Sequence, residues 1–288
     1  MHITYEQLLE IVSWGVFSKP MKGISCYGVG HLKSKKIKEA MHGGVYTGSP
    51  GKDIYLMLPY MSEEQICEVA SLLCKHFPKT PPDNHVNVAA CIRFIYGQFE
   101  KQGILRSKKD FKRMKKEELD WELPRKFLKY LYLELEKDRN YYGLSILCEM
   151  EGHRLGDEAV LKKDENKILE MEKTYLLSVN FAHKCKSYKQ MFTPYYWASI
   201  YFIKIHSKEK ALEFCKSTIR NAEKYCPDAR DSYVSKILYC ISYMKNYHKK
   251  EWNYFYEQYK NNIRNKCVKK AFRGEGTYDK KYFDFLVK

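Results

Sequence analysis

The sequence is short of the residues and patterns that mark several protein classes. Its 288 residues include only 9 prolines and 15 glycines, which excludes collagen-like and low-complexity chains and argues against an all-β fold. No apolar run approaches the roughly 20 residues that a membrane-spanning helix needs. The start, MHITYE, lacks the positive charge and apolar stretch of a secretory signal, so we expect no signal peptide. Apolar residues still make up 44% of the chain, which is enough for a folded core.

The ten cysteines are scattered, and no two of them form a CxxC pair. This spacing gives no support for a zinc ribbon or a thioredoxin-type motif, and we expect neither a metal site nor a cofactor. Cys67, Cys74, Cys215 and Cys240 fall within apolar helical patterns, where a thiol acts as a small buried hydrophobe. Unpaired thiols in this number predict a reducing, intracellular location, which we take to be the cytoplasm.

The spacing of apolar residues predicts a mainly α-helical fold with a small α+β segment near the N-terminus. A first helix is expected over residues 2–17. Short apolar runs at 24–29 and 53–58 predict two strands, with a short helix at 33–41 and glycine-rich turns between them. Residues 62–65, SEEQ, form a capping box that opens the next helix. Further helices are predicted at 84–103, 108–119, 124–137, 140–152, 165–185, 194–206, 208–225, 228–245 and 249–272.

These patterns divide the chain into three predicted parts. Residues 1–60 form the small α+β segment, residues 61–190 a helical bundle with a basic helix, and residues 191–288 a basic helical array. The links between the helices are short, which favours packing of successive helices against each other, as in a bundle or a solenoid.

The C-terminal third carries a faint internal repeat. Pro194 and Pro227 lie 33 residues apart, and each is followed by a predicted pair of helices. Ala222 lies five residues before the second proline. This stretch resembles a tetratricopeptide array, whose period is about 34 residues, although Ile203 stands where that family has a small residue. The resemblance implies stacked helix pairs that together present a binding surface.

Positive charge is the strongest signal in the sequence. Lysines and arginines number 51 against 35 aspartates and glutamates, so the formal net charge is +16 and the pI is about 9.2. Residues 201–288 carry +10 of this charge. Like charges at this density repel each other unless an anionic partner meets them, so we expect the partner to be a nucleic acid, an acidic protein or an anionic membrane surface.

Two basic runs supply the candidate nucleic-acid contacts, one in the predicted helix 108–119 and one at residues 249–273. Cationic helix faces neutralise backbone phosphates, and exposed aromatic rings stack on unpaired bases. Aromatics interleave with the cations of the second run, but Trp252, Phe255 and Tyr259 keep a helical spacing that predicts a place in the core. The candidate contact residues are Lys108, Lys109, Lys112, Arg113, Lys115, Lys116, Lys249, Lys250, Lys260, Arg264, Lys266, Lys269, Lys270 and Arg273.

An enzyme is the alternative, and it depends on residues 27–56. The segment YGVGH at 27–31 is followed by a glycine pair at 43–44 and by GKDIY at 51–55. This order resembles the front of an ADP-ribosyltransferase site, although Tyr27 stands where that family has His or Arg. The resemblance implies a nicotinamide pocket, with transferase chemistry at Tyr27, His31 and Tyr55.

Residues 84–106 resemble the recognition helix of a winged-helix domain, because the predicted helix ends at a Gly-Ile step before a basic run. The sequence as a whole favours a binding protein over an enzyme. Our main hypothesis is a helical adaptor that joins a nucleic acid or a nucleoprotein complex through its basic faces, as part of a larger assembly. A scaffold that binds only proteins is the third hypothesis.

Overall fold

The computed structural model describes residues 4–13, 54, 57–81, 122–227 and 232–273. Every regular element within these residues is helical, so the mainly α prediction is confirmed there. Contacts group the chain into two compact units, Met1–Met150 and Glu151–Lys288. The predicted boundaries near residues 60 and 190 stay predictions. No helix in the described ranges is both long and apolar enough to cross a bilayer.

The first unit contains three described helices and the beginning of a fourth. They are α1 (Tyr5–Ser13), α2 (Glu63–Lys75), α3 (Glu122–Lys137) and α4 (Tyr141–Lys162), of which α4 extends into the second unit. The predicted capping box is confirmed, since Ser62 Oγ accepts the N–H of Gln65 at 3.3 Å and Gln65 Oε1 accepts the N–H of Ser62 at 2.9 Å. Helix α2 contacts α1 and α3 and buries Ile66, Val69 and Leu73, the apolar face that the sequence predicts.

The second predicted strand, over residues 53–58, is wrong at the residues that the structure describes. Ile54 and Met57 are helical, and Leu58–Tyr60 forms a 3₁₀ helix. A short apolar run does not by itself distinguish a strand from a buried helical segment, and Pro59 has the fixed φ angle that suits a first helical turn. The other predicted strand, at 24–29, and the short helix at 33–41 lie outside the described residues.

The second unit contains six further described helices. They are α5 (Glu165–Lys184), α6 (Thr193–Lys204), α7 (Lys208–Tyr225), α8 (Ser232–Tyr247), α9 (Lys249–Tyr259) and α10 (Lys266–Phe272). Helix α6 is apolar on nearly every side and contacts α5, α7 and α8, so it is the centre of the unit. Helix α8 also contacts α9 and α10. The single helix predicted over 249–272 is therefore two helices, separated by a 3₁₀ turn at Lys260–Asn262 and by residues 263–265.

Four of the described helix ends turn the chain in the same way. Arg139, Lys163, Lys186 and His206 each follow a helix with a φ angle of 53°, 54°, 56° and 61°, in the left-handed region. After three of them the next N–H donates to the carbonyl five residues earlier, as in a Schellman motif. These bonds join Asn140 to Leu135 at 2.8 Å, Ser187 to Ala182 at 2.9 Å, and Ser207 to Phe202 at 2.9 Å. The motif ends each helix sharply, which explains how links of so few residues connect them.

Candidate nucleic-acid interface

Helix α10 and the residue that follows it present four cations on one outer face. Positions 266, 269, 270 and 273 are spaced i, i+3, i+4 and i+7, which places them on the same side of a helix. The opposite side buries Val268, Ala271 and Phe272. All four cations are exposed, and none forms an ion pair within the described part of the chain. They are Lys266, Lys269, Lys270 and Arg273.

This charge pattern opposes the stability of the helices in two ways, although Lys269 and Lys270 lie in the last turn of α10, where the helix dipole favours positive charge. Like charges at i, i+3 and i, i+4 destabilise a helix by a few tenths of a kcal/mol per pair, that is about 0.2–0.5. Lys249 and Lys250, both exposed, stand in the first turn of α9, where the helix dipole disfavours positive charge. The free protein therefore carries a repulsion that a polyanion would relieve.

Two further exposed cations lie between α9 and α10. Lys260 Nζ is 2.5 Å from Glu257 Oε2, and this hydrogen bond raises the pKa of Lys260. Arg264 donates from Nη2 to the carbonyls of Glu223 at 2.8 Å and Lys224 at 3.3 Å. From Lys260 to Arg273 the sequence contains six cations and no aspartate or glutamate, so this segment is uniformly positive.

The aromatics that interleave with these cations form the core between α9 and α10. The ring centroids of Trp252 and Phe272 are 4.8 Å apart, and those of Tyr256 and Phe272 are 5.3 Å apart. Phe255 is buried and stacks on Tyr259 at 5.3 Å. The prediction that this stripe belongs to the core is confirmed for Trp252 and Phe255, whereas Tyr259 is half-buried.

Tyr254 is the exception among the aromatics of α9. It lies about 200° around the helix from the buried Trp252 and is 67% exposed. Lys250 precedes it by one turn on the same face. An exposed ring beside a cation is the arrangement that stacks on an unpaired base.

The N-terminus of α10 is held by a buried carboxylate from α7. Glu223 Oε2 accepts hydrogen bonds from the N–H of Arg264 at 2.8 Å and of Asn265 at 3.2 Å. Asn265 is the N-cap of α10, because its Oδ1 accepts the N–H of Val268 at 3.2 Å. Glu223 and Asn265 are both buried. The turn that begins the cationic helix is therefore fixed to α7.

The C-terminus of α10 is held by a lysine from α8. Lys245 Nζ donates to the carbonyls of Ala271 at 2.9 Å and Phe272 at 3.1 Å, and lies 5.4 Å from the ring centroid of Trp252. Burial lowers the pKa of this ammonium group. The last carbonyls of a helix attract positive charge, so Lys245 stabilises this end of α10.

Sequence reasoning missed the roles of Glu223 and Lys245. Both reach α10 across at least 26 residues of chain, and no local pattern marks such a contact. One signal was present: Asn265 is a good N-cap residue ahead of a short apolar and basic run, and it marks the start of a separate helix.

The other predicted site residues lie outside the described residues. This applies to the first basic run, to the transferase-like residues Tyr27, His31 and Tyr55, and to the winged-helix-like stretch 84–106. The structure therefore describes the second basic run only. The residues of the first run are Lys108, Lys109, Lys112, Arg113, Lys115 and Lys116.

A second group of polar side chains is buried among helices of the second unit. His153 Nδ1 lies 2.5 Å from Tyr175 Oη, and Tyr201 Oη donates to Asp157 Oδ1 at 3.0 Å. The ring of Trp197 packs edge-on against His153 at 4.7 Å. Because these groups satisfy one another out of contact with solvent, we assign them to the packing of α4, α5 and α6. No group of three or more His, Cys, Asp or Glu among the described residues is placed to hold a metal ion.

We compared the chain with protein-family models, with curated proteins and with solved structures, and none of the three comparisons gave a match.

Proposed function

We propose that this protein binds nucleic acid through a basic surface formed by α9, α10 and the turn between them. The observation that carries the proposal is the outer face of α10, where four exposed cations stand without ion pairs within the described ranges. The basic surface comprises Lys249, Lys250, Lys260, Arg264, Lys266, Lys269, Lys270 and Arg273.

The length of the cationic face suits a phosphate backbone. A helix rises about 1.5 Å per residue, so the seven steps from Lys266 to Arg273 span about 10 Å. Successive phosphates of one strand advance about 3.4 Å along a duplex axis. The face therefore spans about three phosphate-to-phosphate steps, that is about four phosphates, and the flexible lysine side chains can adjust to their positions.

The composition of the surface favours contact with the backbone over recognition of bases. Lysines contribute six of its eight cations, and a lysine ammonium binds phosphate as a point charge. Contacts of this kind fix position on a nucleic acid but carry no sequence information. We therefore expect binding that depends strongly on salt and weakly on sequence.

We extend the proposal to an adaptor role within a larger cytoplasmic complex. Helices α6, α7 and α8 pack on one another, and Ala222 is buried in α7, as stacked tetratricopeptide-like pairs would require. The described cysteines form no disulfide, which agrees with a reducing compartment. These observations support the tetratricopeptide-like proposal without identifying a repeat.

The experiment compares two double variants that remove the same charge. Lys269→Gln/Lys270→Gln alters the outer face of α10, and Lys129→Gln/Lys137→Gln alters exposed lysines of α3. Fluorescence anisotropy with a labelled oligonucleotide gives the affinity of each at several salt concentrations. The salt slope is the slope of log Kobs against log salt concentration, and each lost phosphate contact lowers its magnitude by about one. We therefore expect the magnitude of the slope to fall by about two in the α10 variant and to stay at the wild-type value in the α3 variant.

Equal effects of the two variants would contradict the proposal, because they would show that only the net charge matters. An affinity that neither variant changes would exclude α10 from the interface. Circular dichroism of both variants checks that each retains its helices.

A scaffold that binds only proteins is the second candidate, and one observation favours it. Leu169, Leu176 and Leu177 are exposed on α5, with Lys173 between them. The effect of salt concentration on affinity distinguishes a nucleic-acid-binding protein from a scaffold that binds only proteins. Contacts with phosphate weaken as salt rises, whereas apolar contacts do not, and some salts strengthen them.

A further inference from the structure

We infer that Glu223 is a positioning residue for the basic surface, because it fixes the turn from which α10 begins. The inference rests on the proposed function, since it concerns the same surface. Glu223 is only 3% exposed, although the burial of a charge is unfavourable and a carboxylate repels phosphate. Its place beneath a surface of cations therefore needs a physical reason, which its hydrogen bonds supply.

Glu223 completes a capping box whose parts come from two helices. In the usual form, a Glu or Gln three residues after the N-cap accepts the N–H of the N-cap residue. That position in α10 is Val268, which has no side-chain acceptor. Glu223 of α7 takes this role, since its Oε2 accepts the N–H of the N-cap residue Asn265 and also that of Arg264.

Helix α10 depends on such an anchor more than the other described α-helices, because it is the shortest of them. It has seven residues, and helices of that length are unstable on their own. Its outer face adds repulsion between like charges. We therefore expect the placement of Arg264 and Lys266 to fail when Glu223 is removed, while the longer helices remain folded.

The environment of the second carboxylate oxygen of Glu223 suggests a substitution that separates the loss of charge from the loss of the anchor. Oε1 is buried and has no hydrogen-bond partner within the described part of the chain. The positioning role therefore needs only one acceptor oxygen, which the amide of glutamine also has. Glu223→Gln should keep the anchor, whereas Glu223→Ala should remove it.

The test uses the full chain and two measurements. Amide hydrogen exchange of Arg264 and Asn265 in the free protein reports the anchor itself. The salt slope for binding to a single-stranded oligonucleotide reports the number of phosphate contacts. Asp164→Ala is the matched control: Asp164 Oδ1 caps α5 by accepting the N–H of Asn166 at 2.9 Å, far along the chain from the basic surface.

We expect Glu223→Ala to speed exchange at both amides about tenfold and to lower the magnitude of the salt slope by about two. Glu223→Gln should preserve both values. Asp164→Ala should lower the Tm by about 2–4 °C and leave the slope unchanged. Should Glu223→Ala fail to fold, Asn265→Ala removes the N-cap side chain and is expected to lower the slope in the same direction.

An unchanged slope in Glu223→Ala, or an equal loss of slope in Asp164→Ala, would overturn the positioning role. If the wild-type chain does not bind the oligonucleotide, the proposed function fails. The exchange rates then still decide whether Glu223 anchors α10, so the two failures are distinguishable.

Discussion

The ring of Tyr201 occupies the space that any side chain on residue 156 would need. Its Cδ1 and Cε1 atoms lie 2.5 Å from the position of a Cβ on Gly156. Tyr201 is buried, and its hydroxyl donates to Asp157, so the ring cannot move aside without losing that hydrogen bond. The close approach of α6 to this part of α4 therefore requires glycine.

The first prediction follows from this contact. Gly156→Ala should lower the free energy of unfolding by about 1–3 kcal/mol through overpacking, even though alanine favours a helix by about 1 kcal/mol. Urea denaturation measures the change. In a Tyr201→Ala background the same substitution should be neutral or stabilising, and an equal cost in both backgrounds would show that the ring is not responsible.

The second prediction concerns the left-handed residue after α5. Lys186 has a φ angle of 56°, which costs a residue with a Cβ more than glycine. Lys186→Gly should raise the free energy of unfolding by about 0.5–1 kcal/mol. Lys173→Gly, in the exposed middle of α5, should lower it by about 1 kcal/mol. Thermal unfolding measures the stability of both variants. A loss of stability in both would argue against backbone strain at Lys186.

The third prediction concerns pH. Burial lowers the pKa of Lys204 to about 8, from an ordinary value of 10.5. The folded protein therefore disfavours the charged amine: the full penalty applies below pH 8 and fades as the pH rises toward 10.5. Lys204→Met should raise the free energy of unfolding by about 1 kcal/mol at pH 7, allowing for solvent screening, and by less at pH 10. Lys173→Met, at an exposed site, serves as the control. An equal gain in stability from Lys204→Met at both pH values would contradict the lowered pKa of Lys204.

The fourth prediction tests the exposed ring of Tyr254. If the ring stacks on an unpaired base, Tyr254→Ala should weaken binding to single strands about fivefold or more and leave duplex binding nearly unchanged. Tyr254→Phe should keep the affinity. Tyr188→Ala, at an exposed tyrosine outside the basic surface, should have no effect on either. Equal losses for single strands and duplex after Tyr254→Ala would show that the ring does not contact bases.

The helices were predictable where the signal is local. The capping box at Ser62 needs only residues three apart, and α7 runs over the predicted 208–225. The burial of Trp252 and Phe255 follows from their spacing along one helix. In each of these cases the neighbours that decide the structure lie within a few turns of the same segment.

The features that were missed depend on distant parts of the chain. The break between α9 and α10 is fixed by Glu223, 41 residues before Arg264, and no periodicity in the basic run shows it. The incorrect strand at 53–58 has a different cause, since its short apolar run has no length or periodicity that distinguishes strand from helix. The exposed face of α10 follows from the i, i+3, i+4, i+7 spacing, but only once the start of that helix is known.

The salt dependence of oligonucleotide binding by the wild-type chain tests the central proposal most directly. Four phosphate contacts from the outer face of α10 predict that log Kobs falls with log salt at a slope of about −3 to −4, and contacts from the rest of the basic surface would make it steeper. Between roughly 50 and 200 mM salt the affinity should then fall on the order of 60- to 250-fold. A slope near zero, or no binding at about 50 mM salt, would contradict the proposal.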